Sequence, residues 1–384
     1  MIPFIDLGPY VELVMSHTAS WRSDGTSLFE GDFEHYLNRV IWPKHEFIGG
    51  GPTTQEFEAA LANKLDVNHA VACANGTDAL QLALRACGIE RGHRVAMPNI
   101  TFWATFEAIV NVGATPILLD TDVADFQLSF DELVRAHRAR ALSAVVLPHL
   151  FGWCSSRLDE IRTFCAHQHV TLIEDGAQTF GVKYNGESVF KDADVATLSF
   201  HPAKVIGGIG DGGAVLAKSP RIAAKVRMLA NHGRSAHFEH AAVGWNSRLD
   251  AIQAAWLLRA LAVSDKVIEE RRRLVRLHGY PAGSHAVPPM NVDDNGYLQL
   301  NMLRGHLSAH VVQQRLHDLG VEGRRIYPIT IADQPGAKGI AAPIGELVNS
   351  REFAEHAFCL PLYYGMTDEQ VERCTTAFEE ATKR

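Results

Sequence analysis

ALSAVVLPHLFGWCSSRLDEIRTFCAHQHVTLIED, residues 141–175, is the stretch that decides the fold. It holds two apolar runs, ALSAVVLP (141–148) and VTLIED (170–175), joined by a helical pattern over Leu158–Gln168. A strand with one wet face alternates apolar and polar residues. These runs are apolar at successive positions, as in strands covered on both faces. Two such strands joined by a helix make a crossover between parallel neighbours.

The unit recurs in both directions. Upstream, AVACA (70–74) precedes a helix from Asp78 to Cys87, and RVAMP (94–98) precedes one over Trp103–Val112. TPILLD (115–120) leads to a helix ending near His137, where Ser129 and Glu132 have capping-box spacing. Before these, Phe57, Leu61 and Leu65 share one face of a helix over Thr53–Leu65, opened by a Thr-Thr cap region. Downstream, VATLSF (195–200) and GGAVLA (212–217) add two strands. Residues 250–278 then read as one long helix with Asp250 in its first turn. Beyond a segment rich in Gly, Pro and Asn (279–295) come YLQLNML and helices over His310–Leu319, 349–358 and 367–382. The expectation is an α/β protein with a mostly parallel sheet flanked by helices. A large domain is expected over residues 1–260 and a smaller α+β domain over 261–384, with the junction inside 255–285.

Composition narrows the function. The chain has 384 residues, 47% of them apolar, and a net charge of -8, so it can bury a large core and offers no basic footprint for nucleic acid. Six scattered cysteines with no C-x-x-C pair fit free thiols in a reducing compartment. The opening MIPFIDLGPYVELV lacks a cationic leader, and the run at 95–106 is broken by Pro98 and Asn99. Both point to a cytoplasmic protein with no membrane partner.

Four segments bear on chemistry. Asn75-Gly76-Thr77-Asp78 lies at a strand-to-helix junction, where amide groups and the helix dipole favour a phosphate; taken alone it reads as an ordinary turn. Asp175, in Glu174-Asp175-Gly176-Ala177-Gln178, follows a buried strand, where ligands of open α/β sheets collect. A carboxylate there can keep a pyridine nitrogen protonated, or equally serve as a helix cap or metal ligand. Ser199-Phe200-His201-Pro202-Ala203-Lys204 also ends a strand. A shielded lysine there can act as a nucleophilic amine, although a lysine taken singly is usually a solvated surface group. Asn246-Ser247-Arg248-Leu249-Asp250 opens the long helix and alone is only its N-terminus. Gly208–Gly213 satisfies G-x-G-x-x-G, but a strand rather than a helix follows, so a dinucleotide site is rejected. His237 and His240 have no acidic or cysteine partner at metal-site spacing, and no metal is expected. Phe102-Trp103 by itself reads as core packing.

Taken in order, IGGGPTTQEFE (48–58), ANGTDAL (74–80), PNITFWAT (98–105), IEDGAQTFG (173–181), SFHPAK (199–204), GDGGAV (210–215) and NSRLDAIQAA (246–255) resemble the DegT/StrS-type sugar aminotransferases, a branch of the fold-type-I pyridoxal-phosphate enzymes. The resemblance implies a seven-stranded-type sheet and pyridoxal 5'-phosphate held as a Schiff base on Lys204, which also shuttles the proton. It implies that Asp175 holds the pyridine nitrogen, that Gln178 faces the phenolic oxygen or ring, and that Phe102 stacks on the ring. Gly76, Thr77 and Ser199 are implied to bind phosphate, joined by Asn246 and Arg248 from a second subunit of a homodimer. His201 and Tyr327 are implied to face substrate. The implied reaction moves an amino group from glutamate or glutamine to a keto group on a nucleotide-linked sugar, as in polysaccharide or antibiotic sugar biosynthesis.

The sequence departs from that family at Arg325–Thr330, at Phe238-Glu239-His240 and in a lengthened lead-in at 17–41, where the family recognises its sugar. Amination of a cyclitol or another carbocyclic ketone, and a pyridoxal-phosphate regulator without turnover, stay open beside it. A sugar dehydratase is disfavoured, because its relatives carry histidine where Lys204 stands.

Overall fold

A computed structural model describes residues 1–16, 49–279, 286–303 and 307–383. The lengthened lead-in at 17–41 and Ile48, the first residue of the first motif, lie outside the described residues.

The apolar runs become strands β1 (His69–Cys73), β2 (Arg94–Pro98), β3 (Thr115–Leu119), β4 (Ala144–Pro148), β5 (Thr171–Asp175), β6 (Val195–Ser199) and β7 (Gly213–Ala217). They lie in the order β1-β7-β6-β5-β4-β2-β3, and a two-residue strand, Ala342–Pro343, extends the sheet beyond β3. Only β7 runs against the rest, pairing antiparallel with β1 and β6. The sheet is therefore the mostly parallel, seven-stranded type expected, with a short eighth strand added.

Successive side chains of a strand point to opposite faces, and here each face feeds a different core. Val145 and Leu147 pack on one side, Ala144 and Val146 on the other; Ala96 opposes Val95 and Met97 in the same way. Helices α1 (Gly8–Ser16), α2 (Pro52–Leu65), α5 (Phe130–Arg140) and α6 (Leu158–His167) cover the first face. Helices α3 (Gly76–Ala86), α4 (Trp103–Asn111) and α7 (Pro220–Ala230) cover the second. With both faces sealed, the strands could not have been amphipathic.

Helix α8 (Ala251–His278) is the long helix expected. It packs on the first core through residues such as Leu258, Leu261 and Val267, and on a third core through Leu274 and Val275. That third core joins α9 (Ala309–Asp318) and α11 (Asp368–Thr382). An antiparallel pair, β8 (Gln299–Met302) and β9 (Ala357–Leu360), with α10 (Val348–His356) lies alongside. Because α8 runs unbroken through residues 260 and 261, the division into domains 1–260 and 261–384 stays a proposed one.

Several helix starts differ by one or two residues from the sequence reading, α3 by two, at Gly76 in place of Asp78, and two of them show cap chemistry at work. α2 begins at Pro52, with Gly51 at the cap position, so Thr53 and Thr54 are buried in the first turn instead of capping it. Proline at the first helical position has its φ pre-set and no amide to leave unsatisfied. Asp250 is the cap residue of α8, one position earlier than expected, and its side chain accepts no capping hydrogen bond. Gly213 does open a strand, as the rejection of the dinucleotide motif requires. All six cysteines are free thiols. Among the described residues, no helix is long and apolar enough to cross a membrane.

Candidate active site

The carboxyl ends of β4, β5 and β6 and the N-terminus of α3 meet at one cavity of about 520 Å³. Gly76, Thr77, Phe102, Asp175, Gln178, Ser199, His201, Lys204 and Tyr327 all line it. A crossover sheet puts its strand-to-helix loops on one edge, so segments far apart in sequence converge there.

At one wall, Asn75 caps α3 by accepting the Asp78 amide at 2.8 Å. That leaves the first-turn amides of Gly76 and Thr77 for an anion. The end of β6 presses against this turn: a Cβ on Gly76 would stand 2.7 Å from Ser199 Cβ and 3.1 Å from its Oγ. A Cβ on Gly213 would strike the Asn75 carbonyl. Glycine at both places lets the backbone and the Ser199 hydroxyl close into a cradle of phosphate-binding character.

Asp175 is 7% exposed at the end of β5. Its Oδ1 accepts the Ala177 amide at 3.1 Å and its Oδ2 the Thr105 hydroxyl at 3.2 Å. Burial pushes its carboxyl above the usual carboxylate range, against the Ala177 amide and the charge of Lys204. A cationic ring nitrogen is the kind of partner such a carboxylate suits. Beside it, Glu174 is held by His149 Nε2 at 2.9 Å and by Arg162 at 2.8 and 2.9 Å. Burial alone would raise the Glu174 pKa, but His149 and Arg162 outweigh it and hold the carboxyl below its ordinary range.

Gln178 is fixed at both ends of its amide. Its Oε1 accepts the Phe151 amide, and its Nε2 donates to Tyr327 Oη, each at 2.6 Å. Tyr327 itself has a positive φ of 51°. Lys204 Nζ donates to Tyr297 Oη at 3.2 Å and lies 5.1 Å from that ring's centre. His201 Nδ1 accepts the Ala203 amide at 3.2 Å, which sets its ring at the cavity edge. Phe102, in the cap position of α4, is 64% exposed and turns an apolar ring to the cavity.

Residues 32–379 match the DegT/DnrJ/EryC1/StrS aminotransferase family. The chain belongs to that family. It is, with the family, a pyridoxal-phosphate-dependent transaminase, and the lysine, the buried aspartate and the close Gly76–Ser199 turn fit that cofactor. It is 33% identical over 347 residues to a dTDP-3-amino-3,4,6-trideoxy-alpha-D-glucose transaminase of Streptomyces venezuelae, covering 87% of this chain and 88% of that one. It is 32% identical over 301 residues to a UDP-2-acetamido-2-deoxy-3-oxo-D-glucuronate aminotransferase of Pseudomonas aeruginosa, covering 77% and 83%. The crystal structure of S. venezuelae DesV in complex with a ketimine intermediate superposes with a TM-score of 0.87 at 30% identity, covering 100% of this chain and 99% of that one.

Two of the residues the family resemblance marks lie elsewhere. Asn246 and Arg248 do not line their own chain's cavity. Arg248 Nη2 donates to Asn246 Oδ1 at 2.6 Å and Nη1 to Asn231 Oδ1 at 3.0 Å, forming a separate polar cluster. Conversely, the site contains residues the sequence reading passed over: Thr105, His149, Arg271, Tyr297 and Tyr10. Thr105 lies in a quoted motif, three residues after Phe102, and that spacing was the available signal. Tyr10 accepts the Gly207 amide at 2.9 Å and donates to the Gly207 carbonyl at 3.1 Å, pinning the loop after Lys204. No local pattern marks it.

Proposed function

We propose that this transaminase moves an amino group from glutamate or glutamine to a keto group of a nucleotide-linked sugar, with Lys204 as the amine that carries the cofactor and the proton. The observation that carries the reading is the convergence of Lys204, Asp175 and the Gly76–Ser199 cradle in one cavity. The sugar-nucleotide names of the relatives point the same way.

When bound, pyridoxal phosphate supplies an electron sink for the pair left at a substrate carbon that loses its proton. The rest falls to the chain. Gly76 and Thr77 amides and the Ser199 hydroxyl hold the phosphate, and Phe102 gives the ring a flat apolar wall. Asp175 keeps the ring nitrogen protonated; Thr105 and the Ala177 amide fix both of its oxygens for that task. Gln178, locked by Phe151 and Tyr327, presents its amide at a single angle. Lys204 Nζ takes the proton from the substrate carbon and returns it one position away, acting as base and then acid. Tyr297 aims that amine. His201 and Tyr327 face the substrate. In a homodimer, Asn246 and Arg248 would complete the partner's phosphate site.

The test is to load the enzyme with its amino group from glutamate and offer keto-sugar nucleotides beside carbocyclic ketones. Return of the aldehyde cofactor spectrum with a sugar nucleotide is expected. Return only with a cyclitol ketone would refute the sugar assignment, and no response to any amine would refute transamination.

A further inference from the structure

The cavity contains a cation that no described acidic residue neutralises. Arg271, on α8, is 8% exposed and lines the same cavity as Lys204. Its Nε donates to the Gly296 carbonyl at 2.9 Å, and its Nη2 to the carbonyls of Tyr297 at 2.8 Å and Leu362 at 3.4 Å. Among the described residues, no carboxylate pairs with it and no acceptor takes a hydrogen bond from Nη1. Burial lowers its pKa to about 10, so at neutral pH it is still charged. Asp6 lines the cavity as well, but its Oδ1 accepts the Gly8 amide and it forms no ion pair with Arg271.

A buried charge is costly unless paired, and carbonyl dipoles compensate a guanidinium only in part. The three carbonyl bonds do fasten α8 to the segments at 296–297 and 362, which is a structural role. They also hold the guanidinium plane rigid, so that its remaining donors are preorganised for a ligand. The placement is apt: the Tyr297 backbone binds Arg271 while its hydroxyl binds Lys204 Nζ. A group on Arg271 would thus share one cavity with the reacting amine, on residues distinct from the Gly76–Ser199 cradle.

We propose that Arg271 recognises a carboxylate of a substrate. The inference rests on the transamination reading above. Two substrates could bring that carboxylate: the amino donor, or an acceptor sugar that carries an acid group.

The test uses the wild-type holoenzyme and the variants Arg271→Lys and Arg271→Met. The donor half-reaction is followed by cofactor absorbance with glutamate, its α-amide and its γ-amide. The acceptor half-reaction is followed with a keto-sugar nucleotide bearing a C6 carboxylate and with its C6 hydroxymethyl counterpart. In one of the two arms the wild type should prefer acid over neutral analogue by about 10²-fold in kcat/KM, as expected for a charge-assisted, desolvated contact. Arg271→Lys and Arg271→Met should erase most of that preference, read as the ratio of acid to neutral analogue within each protein, so that any loss common to both analogues cancels. The arm that responds names the source. Equal treatment of acid and neutral analogues by the wild type in both arms overturns the inference, as does a full preference retained by Arg271→Met. Should the variants not fold, crystal structures of the wild type with glutarate and with the C6-carboxylate sugar nucleotide decide: a carboxylate on Nη1 in either supports the inference, and carboxylates elsewhere in both overturn it. Glutarate binding needs no turnover, so it tests Arg271 even if every amine fails and the transamination reading falls.

Discussion

Gly76→Ala isolates the closeness of the proposed phosphate cradle. The added methyl would stand 2.7 Å from Ser199 Cβ, 3.1 Å from Ser199 Oγ and 3.3 Å from Ser199 Cα. Carbon atoms in contact settle at roughly 3.5–4.0 Å, so α3 and the end of β6 must part by about 0.8 Å. Two effects on stability oppose each other. Alanine favours the helix by about 1 kcal/mol over glycine, whereas overpacking costs about 1–3 kcal/mol. The net loss of stability should therefore be small, about 0–2 kcal/mol. Cofactor affinity should suffer more, because the gap opens between the Gly76 and Thr77 amides and the Ser199 hydroxyl. We expect the cofactor Kd to rise at least tenfold, on the order of 1.4 kcal/mol. Ser199→Gly removes the Cβ and Oγ that the methyl would meet, leaving only Cα at 3.3 Å. Adding Gly76→Ala to that background should then cost much less, a coupling of about 1 kcal/mol or more. Titration of the apoenzyme with pyridoxal phosphate across the four proteins, with melting curves alongside, measures it. Additive effects on Kd would refute the steric argument.

The other predictions are brief. Lys204→Ala should fold normally but lose turnover by more than the ~10²–10⁴ of a lost general base, and borohydride should fix the cofactor of the wild type onto the Lys204 peptide; label on another lysine refutes the role. Asp175→Asn should cut turnover at least about 10²-fold with cofactor binding less affected, and near-normal activity would place the ring-nitrogen partner elsewhere. An Asn246→Ala/Arg248→Ala chain and a Lys204→Ala chain, each weak or dead alone, should recover up to about half the per-site activity when co-assembled, by two-fold symmetry; hybrids that form yet stay inactive would show that the segment does not serve the partner. His278, whose Nε2 is paired with the Pro361 carbonyl at 3.0 Å, has its pKa lowered by burial to about 4. The unfolded chain binds a proton there near pH 6.5 and the folded chain does not. Stability present above that pH is therefore lost as pH falls toward 4, by roughly 3 kcal/mol if the whole shift is expressed. Urea titrations from pH 7 to 4 should show a shallower decline for His278→Gln than for the wild type, and parallel declines would refute the assignment.

What was legible in the sequence was what is local. The strands β1 to β7 are short enough for burial on both faces to be written in consecutive residues, and their ends carry Asp175 and Ser199 as last residues and Gly76 three residues on. Helix limits fell within a few residues, and the errors were those of cap chemistry: Pro52 moved one start forward, and Asp250 proved to be a cap residue without a capping bond. The rejected G-x-G-x-x-G motif shows local reading at its best, since the element after Gly213 is visible in the adjacent residues.

Tertiary structure alone decided which groups serve Lys204. Tyr297, 93 residues downstream, binds its amine, and Tyr10, 197 residues upstream of Gly207, pins its loop. Neither belongs to a motif, because a hydrogen bond across such a separation constrains only the two residues involved and leaves no periodicity around them. Arg271 sits in a run of three arginines, yet the turn of α8 buries it against three carbonyls while Arg272 and Arg273 form exposed ion pairs. Adjacent positions on a helix differ by about 100° in direction, so composition marks the charge and packing alone decides which charge is enclosed. The sequence by itself determined the strands, their mostly parallel α/β class and the edge where a ligand collects, while their order across the sheet was decided by the fold. Only the folded chain determined the inner wall of that site, because that wall is built from side chains that meet nowhere along the sequence.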